Sequence, residues 1–169
     1  MNVLKKTLLL LSTLLLLSFI VGCTQTEFSS VAPMSSIDKS QSIALYALDN
    51  YTDTPRAGMR ASNIVEGMLL AKGYQVDNRI DNETRKMTQQ QKRTDALNRK
   101  NGYMFIGGVS EWRYKTGIDG EPAVSLQFKL IDLKTGAVKW SAVASDSSWG
   151  NASIGTVAQD LIASMLSDK

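Results

Sequence analysis

An α+β fold, with a mixed, mainly antiparallel sheet, a C-terminal β-meander and about three helices, is predicted by three patterns in this chain. Strand-like and helical segments alternate through the first half. Val124, Leu126, Phe128 and Leu130 then alternate with Ser125, Gln127 and Lys129, giving a strand with one buried and one wet face. Last, Ile154, Val157, Ala158, Leu161, Ile162, Met165 and Leu166 follow helical spacing without exception. Strands and helices in this order build helices against a sheet, and no internal repeat or second core is visible.

Each element has its own signal. Ser42 to Leu48 is a short apolar strand, and Asp49 to Pro55 ends it with turn-forming residues. Ala57, Ala61, Ile64, Val65, Met68 and Leu69 recur at helical spacing, with Gly73 placed as a left-handed C-cap. Tyr74 to Ile80 reads as the second strand. Arg85 to Lys100 reads as a helix that is exposed or covered by a partner, because Met87 and Leu97 are its only sizeable apolar side chains. Tyr103 to Lys115 is the next strand, and Gly107-Gly108 within it signals a bulge or a close approach by another backbone. Asp132 to Gly136 is a tight connection, after which Val138, Trp140, Ala142 and Ala144 resume the alternation and complete a hairpin. Asn151 or Ser153 caps the final helix.

The N-terminus reads as a leader. Lys5 and Lys6 precede an apolar run from Leu8 to Ile20, which is short for a membrane span of about 20 residues. Ile20-Val21-Gly22-Cys23 then places a small residue directly before the chain's one cysteine. This tetrad resembles the lipobox of bacterial lipoproteins. The resemblance implies a lipoprotein signal peptide over residues 1–22, cleavage before Cys23 and lipidation of Cys23 with diacylglyceryl and acyl (palmitate-type) chains. Several chains anchor far more firmly than one, at about 0.8 kcal/mol per buried methylene. Thr24 stands where an Asp would resemble an inner-membrane retention signal, so the expected location is the outer membrane, periplasmic face. Residues 24–40, rich in Ser, Thr and Gln, read as a flexible tether from the lipidated Cys23, and residues 41–169 as one globular periplasmic domain.

Composition excludes whole classes of chemistry. The formal charge of +3 includes Lys5 and Lys6, whose loss brings 19 basic side chains to within one of the 16 acidic, so the pI near 9.0 is no sign of nucleic-acid binding. With no His, and the one Cys assigned to lipid, zinc sites, thiol nucleophiles and His general bases drop out together. No phosphate-binding loop or nucleophile elbow occurs, and no cofactor or metal is expected. Glu111, Asp119 and Glu121 form the one carboxylate cluster; it reads either as an acid–base pair or, more simply, as a solvated hairpin loop. Trp149, between Ser148 and Gly150, either folds back onto the core or serves as a membrane or subunit contact. Trp112 and Trp140 lie on apolar parities and belong to the core. The segment from Arg79 to Lys100 holds seven basic and three acidic residues, which suit a solvated face or contact with an acidic edge of a neighbouring subunit.

Gly107 to Lys115, Gly120-Glu121-Pro122 and Asp132 to Trp140 resemble the PelC family. These are outer-membrane lipoproteins of Pel exopolysaccharide export, with broader relatives in the CsgG periplasmic domain and LpoB. The resemblance covers the carboxy-terminal part of the chain and the lipobox. It implies a homo-oligomeric ring, without enzymatic activity, guiding a cationic polysaccharide to a PelB-like outer-membrane β-barrel. It further implies that Glu111, Asp119 and Glu121 face the polymer and Trp149 faces the membrane. Two other classes are weighed against it: an LpoB-like regulator that binds and activates a peptidoglycan synthase, and an enzyme acting on envelope glycans.

Overall fold

The computed structural model describes residues 33–116, 120–148 and 152–167. Cys23, Asp119, Trp149 and the expected leader lie outside these residues. The elements follow as β1 (Ile43–Tyr46), β2 (Asp49–Asn50), α1 (Ala57–Ala71), β3 (Val76–Arg79), α2 (Gln89–Asn98), β4 (Tyr103–Tyr114), β5 (Pro122–Asp132), β6 (Val138–Ser147) and α3 (Ile154–Met165). They build the expected α+β architecture. The sheet order is β3-β1-β4-β5-β6, with β2 paired to the middle of β4. Strand β1 runs parallel to both β3 and β4, whereas β4, β5 and β6 form the antiparallel meander that supplies most of the paired residues.

Every residue of β1 is buried, because helices cover both of its faces. On one face lie α1, through Ala57, Ala61, Val65 and Leu69, and α3, through Val157, Leu161 and Ile162. Under them Phe105 contacts Phe128 and Trp140 with ring centroids 5.3 and 6.0 Å apart. The other face carries a smaller cluster in which Ala96 of α2 meets Ala44, Tyr46, Met104, Ile131 and Leu133.

Local chemistry sets the element ends. The turn expected from Asp49 begins two residues later, since Asp49 and Asn50 pair with Gly108 and Val109 before Asn50 Oδ1 accepts the Thr52 N–H at 3.1 Å. At the start of α1 a Cβ on Gly58 would collide with the Leu48 carbonyl, and Ser62 Oγ accepts the Leu48 N–H at 2.9 Å. The helix therefore sits directly on the backbone leaving β1. Its other end closes as expected at Gly73, φ +81°, where the Tyr74 N–H reaches the Leu69 carbonyl at 3.0 Å. The capping choice before α3 falls on Ser153, whose side chain accepts the Thr156 N–H.

One reading is resolved and two are corrected. The bulge of β4 falls between Val109 and Glu111, while the glycine pair serves the close approach: a Cβ on Gly107 would overlap the Gln127 carbonyl. Val138 is 41% exposed, because pairing slips between Leu130 and Ile131 and a one-residue slip turns a side chain to the other face. Packing also begins earlier than expected. Met34 and Ile37, within the stretch read as tether, are buried, and the Tyr74 hydroxyl donates to the Met34 carbonyl at 2.6 Å. Trp112 and Trp140 are core residues, as their parities require.

Candidate functional site on the polar face of the sheet

Helix α2 is nearly devoid of apolar side chains, so its docking is electrostatic. It starts at a capping box in which Thr88 and Gln91 each bond the other's backbone N–H. The Tyr46 hydroxyl, rising from β1, donates to Asp95 Oδ2 at 2.7 Å, and Arg79 Nε of β3 donates to the same oxygen at 3.0 Å. Beyond the helix end, Arg99 grips Asp77 of β3 through two bonds of 2.6 and 2.7 Å, and Asn101 adds a third at 2.9 Å. The Arg99 bonds hold the Asp77 carboxyl below its ordinary range, with Asn101 helping and burial opposing. Burial, then the Asp95 carboxylate, push the Tyr46 phenol well above its ordinary value.

This network accounts for much of the basic charge between Arg79 and Lys100. Arg79 and Arg99 pair with Asp95 and Asp77, Lys92 lies 3.6 Å from Asp49, and Arg93 donates to the Leu133 carbonyl at 3.0 Å. Arg85, Lys86 and Lys100 stay exposed. Sequence reading missed these pairings, since their partners come from β2, β3 and the loop after β5.

The helix covers only part of the face. Beyond it the outward residues of the meander are polar, with Ser125 bonded to Ser110 at 3.0 Å and to Ser145 at 2.8 Å across three strands. A cleft of about 460 Å³ separates α2 from this surface, lined in part by Asp49, Tyr51, Lys92, Gln127 and Lys129. A second, of about 390 Å³, lies on the other side of Tyr51 and reaches Glu111 and Arg113.

Of the expected acidic cluster, two members can be placed. Glu111 accepts from Arg113 at 3.0 Å on β4, and Glu121 lies 3.5 Å from Lys115. Each carboxylate thus has its own cation, and both stand at the β4–β5 hairpin end. Asp119 and Trp149 lie outside the described residues, but their flanks converge here. The Ser148 N–H bonds the Pro122 carbonyl at 3.2 Å, and the Ile154 N–H bonds the Tyr114 hydroxyl at 3.2 Å. Among the described residues there is no group of three His, Cys, Asp or Glu side chains able to hold a metal ion, and no helix long and apolar enough to cross a membrane.

These features define an α+β meander domain with an apolar helical face and a polar, charge-paired one. The same fold occurs in lipoprotein GNA1162 from Neisseria meningitidis, at TM-score 0.54 and 21% identity over 73% of this chain and 94% of that one. No family model matches the sequence, and no curated protein does. The solved PelC dodecamer from Paraburkholderia phytofirmans is similar at TM-score 0.73 and 33% identity, over 85% of this chain and 96% of that one. A single-substitution variant of that PelC, also a dodecamer, is 35% identical over the same shares. The chain belongs to the PelC family.

Proposed function

We propose that this protein is an outer-membrane-anchored periplasmic lipoprotein, a ring-forming accessory subunit that guides a Pel-like exopolysaccharide to a PelB-like outer-membrane β-barrel. The observation that carries this reading is the 33% identity to a dodecameric PelC across 96% of that chain. The leader over residues 1–22 and the lipobox at Cys23 supply the anchor, and lipids on every copy hold a ring to one leaflet multivalently. A heterologous interface that closes on itself makes the ring without further parts.

The protein acts by position rather than by catalysis. Glu111, Asp119 and Glu121 form the polymer-facing acidic set, with the cations beside Glu111 and Glu121 tempering their charge. Trp149 serves as the membrane or subunit contact. The decisive experiment is the native mass of the full-length protein in detergent, for which a closed oligomer is expected. A monomer would sink the ring reading and favour a regulator of a peptidoglycan synthase. In cells, Trp149→Ala should reduce polymer secretion while leaving folding intact; normal secretion would remove Trp149 from the contact.

A further inference from the structure

Tyr51 is a large aromatic side chain held on the polar face of the sheet yet 64% exposed. Its placement is built rather than incidental. The Tyr51 N–H bonds the Val109 carbonyl at 2.9 Å, and the turn behind it is closed by Asn50, whose amide donates to the Thr54 carbonyl at 2.8 Å. The ring lies over Gly108, where a Cβ would come within 2.6 Å of it. A glycine at this point of β4 lets the ring rest directly on the strand. The aromatic body is thus presented without having been folded into the core, which is where a Tyr gains most.

The surroundings suit a ligand with alternating apolar and hydroxyl-bearing surfaces. Tyr51 borders both clefts, of about 460 and 390 Å³, so a chain molecule can lie across it with groups in each. In the larger cleft the side chains of Gln89, Gln127 and Lys129 make no hydrogen bond or ion pair among the described residues, leaving amide and amine groups for a partner. Apolar patches at Ile106 and the exposed Val143 lie beside them. The charges balance across the two clefts: Asp49 is offset by Lys92 at 3.6 Å and Glu111 by Arg113 at 2.9 Å, while Asp53 in one cleft and Lys129 in the other, neither in an ion pair among the described residues, are of opposite sign. Such a surface offers hydrogen bonds and a stacking face rather than net charge.

We infer that the Tyr51 surface is a saccharide-binding subsite for uncharged, N-acetylated pyranose units, with the sugar ring stacked on Tyr51. Gln127 and Gln89 engage its amide and hydroxyl groups, and the acetyl methyl rests near Val143. The choice of a saccharide rests on the export reading above, but the subsite needs only one protomer and does not depend on ring closure. It adds a neutral contact to the acidic hairpin end.

The test uses full-length protein in detergent, titrated calorimetrically with three tetrasaccharides: an N-acetylglucosamine oligomer, its deacetylated cationic form and an oligogalacturonate. Native mass is measured in parallel. Binding of the N-acetylated oligomer in preference to the other two is expected. Tyr51→Ala should weaken it about tenfold or more, equivalent to about 1.4 kcal/mol, with the native mass unchanged. Tyr51→Phe should retain binding, whereas Gly108→Ala, which displaces the ring, should weaken it. Absence of binding to the N-acetylated oligomer, preference for either charged oligomer, or indifference to Tyr51→Ala would each overturn the subsite. Loss of oligomeric mass in Tyr51→Ala with saccharide binding retained would reassign the surface to subunit contact. A ring that binds no saccharide removes this inference and leaves the ring reading standing.

Discussion

The two faces of the sheet are closed by different physics. Under α1 and α3 the side chains are apolar and mutually buried, from Leu69 and Leu161 to the Phe105–Phe128–Trp140 ring cluster. Under α2 one small apolar contact at Ala96 is flanked by Asp95, Arg79, Asp77 and Arg99, and the meander beyond is left open. Burial of apolar area is non-directional and tolerates shifts, whereas charged hydrogen bonds fix position and fail one partner at a time. The first face supplies stability. The second places a polar helix and leaves a surface for function.

The largest effect should come from breaking the apolar face. Trp140 is fully buried, so Trp140→Ala should cost about 3–5 kcal/mol, seen as a large drop in the urea midpoint. A cost near that of a surface substitution would show that the ring cluster does not hold the sheet. On the polar face, Asp77→Asn should loosen α2 by about 1–2 kcal/mol, discounted because Arg99 is exposed, with faster amide exchange in α2 and little change in the core.

The pH dependence sharpens the same comparison. The folded Asp77 carboxyl titrates below its ordinary 3.8 because Arg99 and Asn101 bond its ionised form. Its contribution is therefore complete above about pH 4 and is lost only as the pH falls through the lowered folded value. Protection of α2 should hold from neutrality to about pH 4 and decline below it, and Asp77→Asn should flatten that part of the curve. Asp38, Asp81 and Asp132 are also lowered, chiefly by hydrogen bonds from Ser40, Thr84 and Thr135, so only the difference between the two proteins isolates Asp77. The smallest effect belongs to the capping box: Thr88→Ala should cost about 1 kcal/mol, visible as fraying of the first turn of α2. Unchanged exchange there would mean that Gln91 alone suffices.

Legibility followed the same division. The helix of α3, the alternation of β5 and the Gly73 cap were plain, because periodicity and capping are local. The exposure of Val138 was not, since it depends on a slip in pairing with a strand several residues away. Met34 was read as tether because the few apolar residues of that polar stretch were taken to carry no period; its burial depends on Tyr74, 40 residues on. Of the candidate site, Glu111 and Glu121 were legible as acids but not as paired acids. Tyr51 gave no signal in its own segment, and its setting required Gly108 from another strand.

By itself the sequence determined the α+β class, the apolar face of the sheet and the lack of any histidine for acid–base or metal chemistry, because these depend on residue type and on spacing within one element. Only the tertiary structure decided where charge is spent: which of the basic residues around α2 are neutralised, which acids keep a cation, and which aromatic stays in the open. Those outcomes depend on distances between elements far apart in the chain, and a charge or a ring acquires its role from what the fold sets within a few ångströms of it.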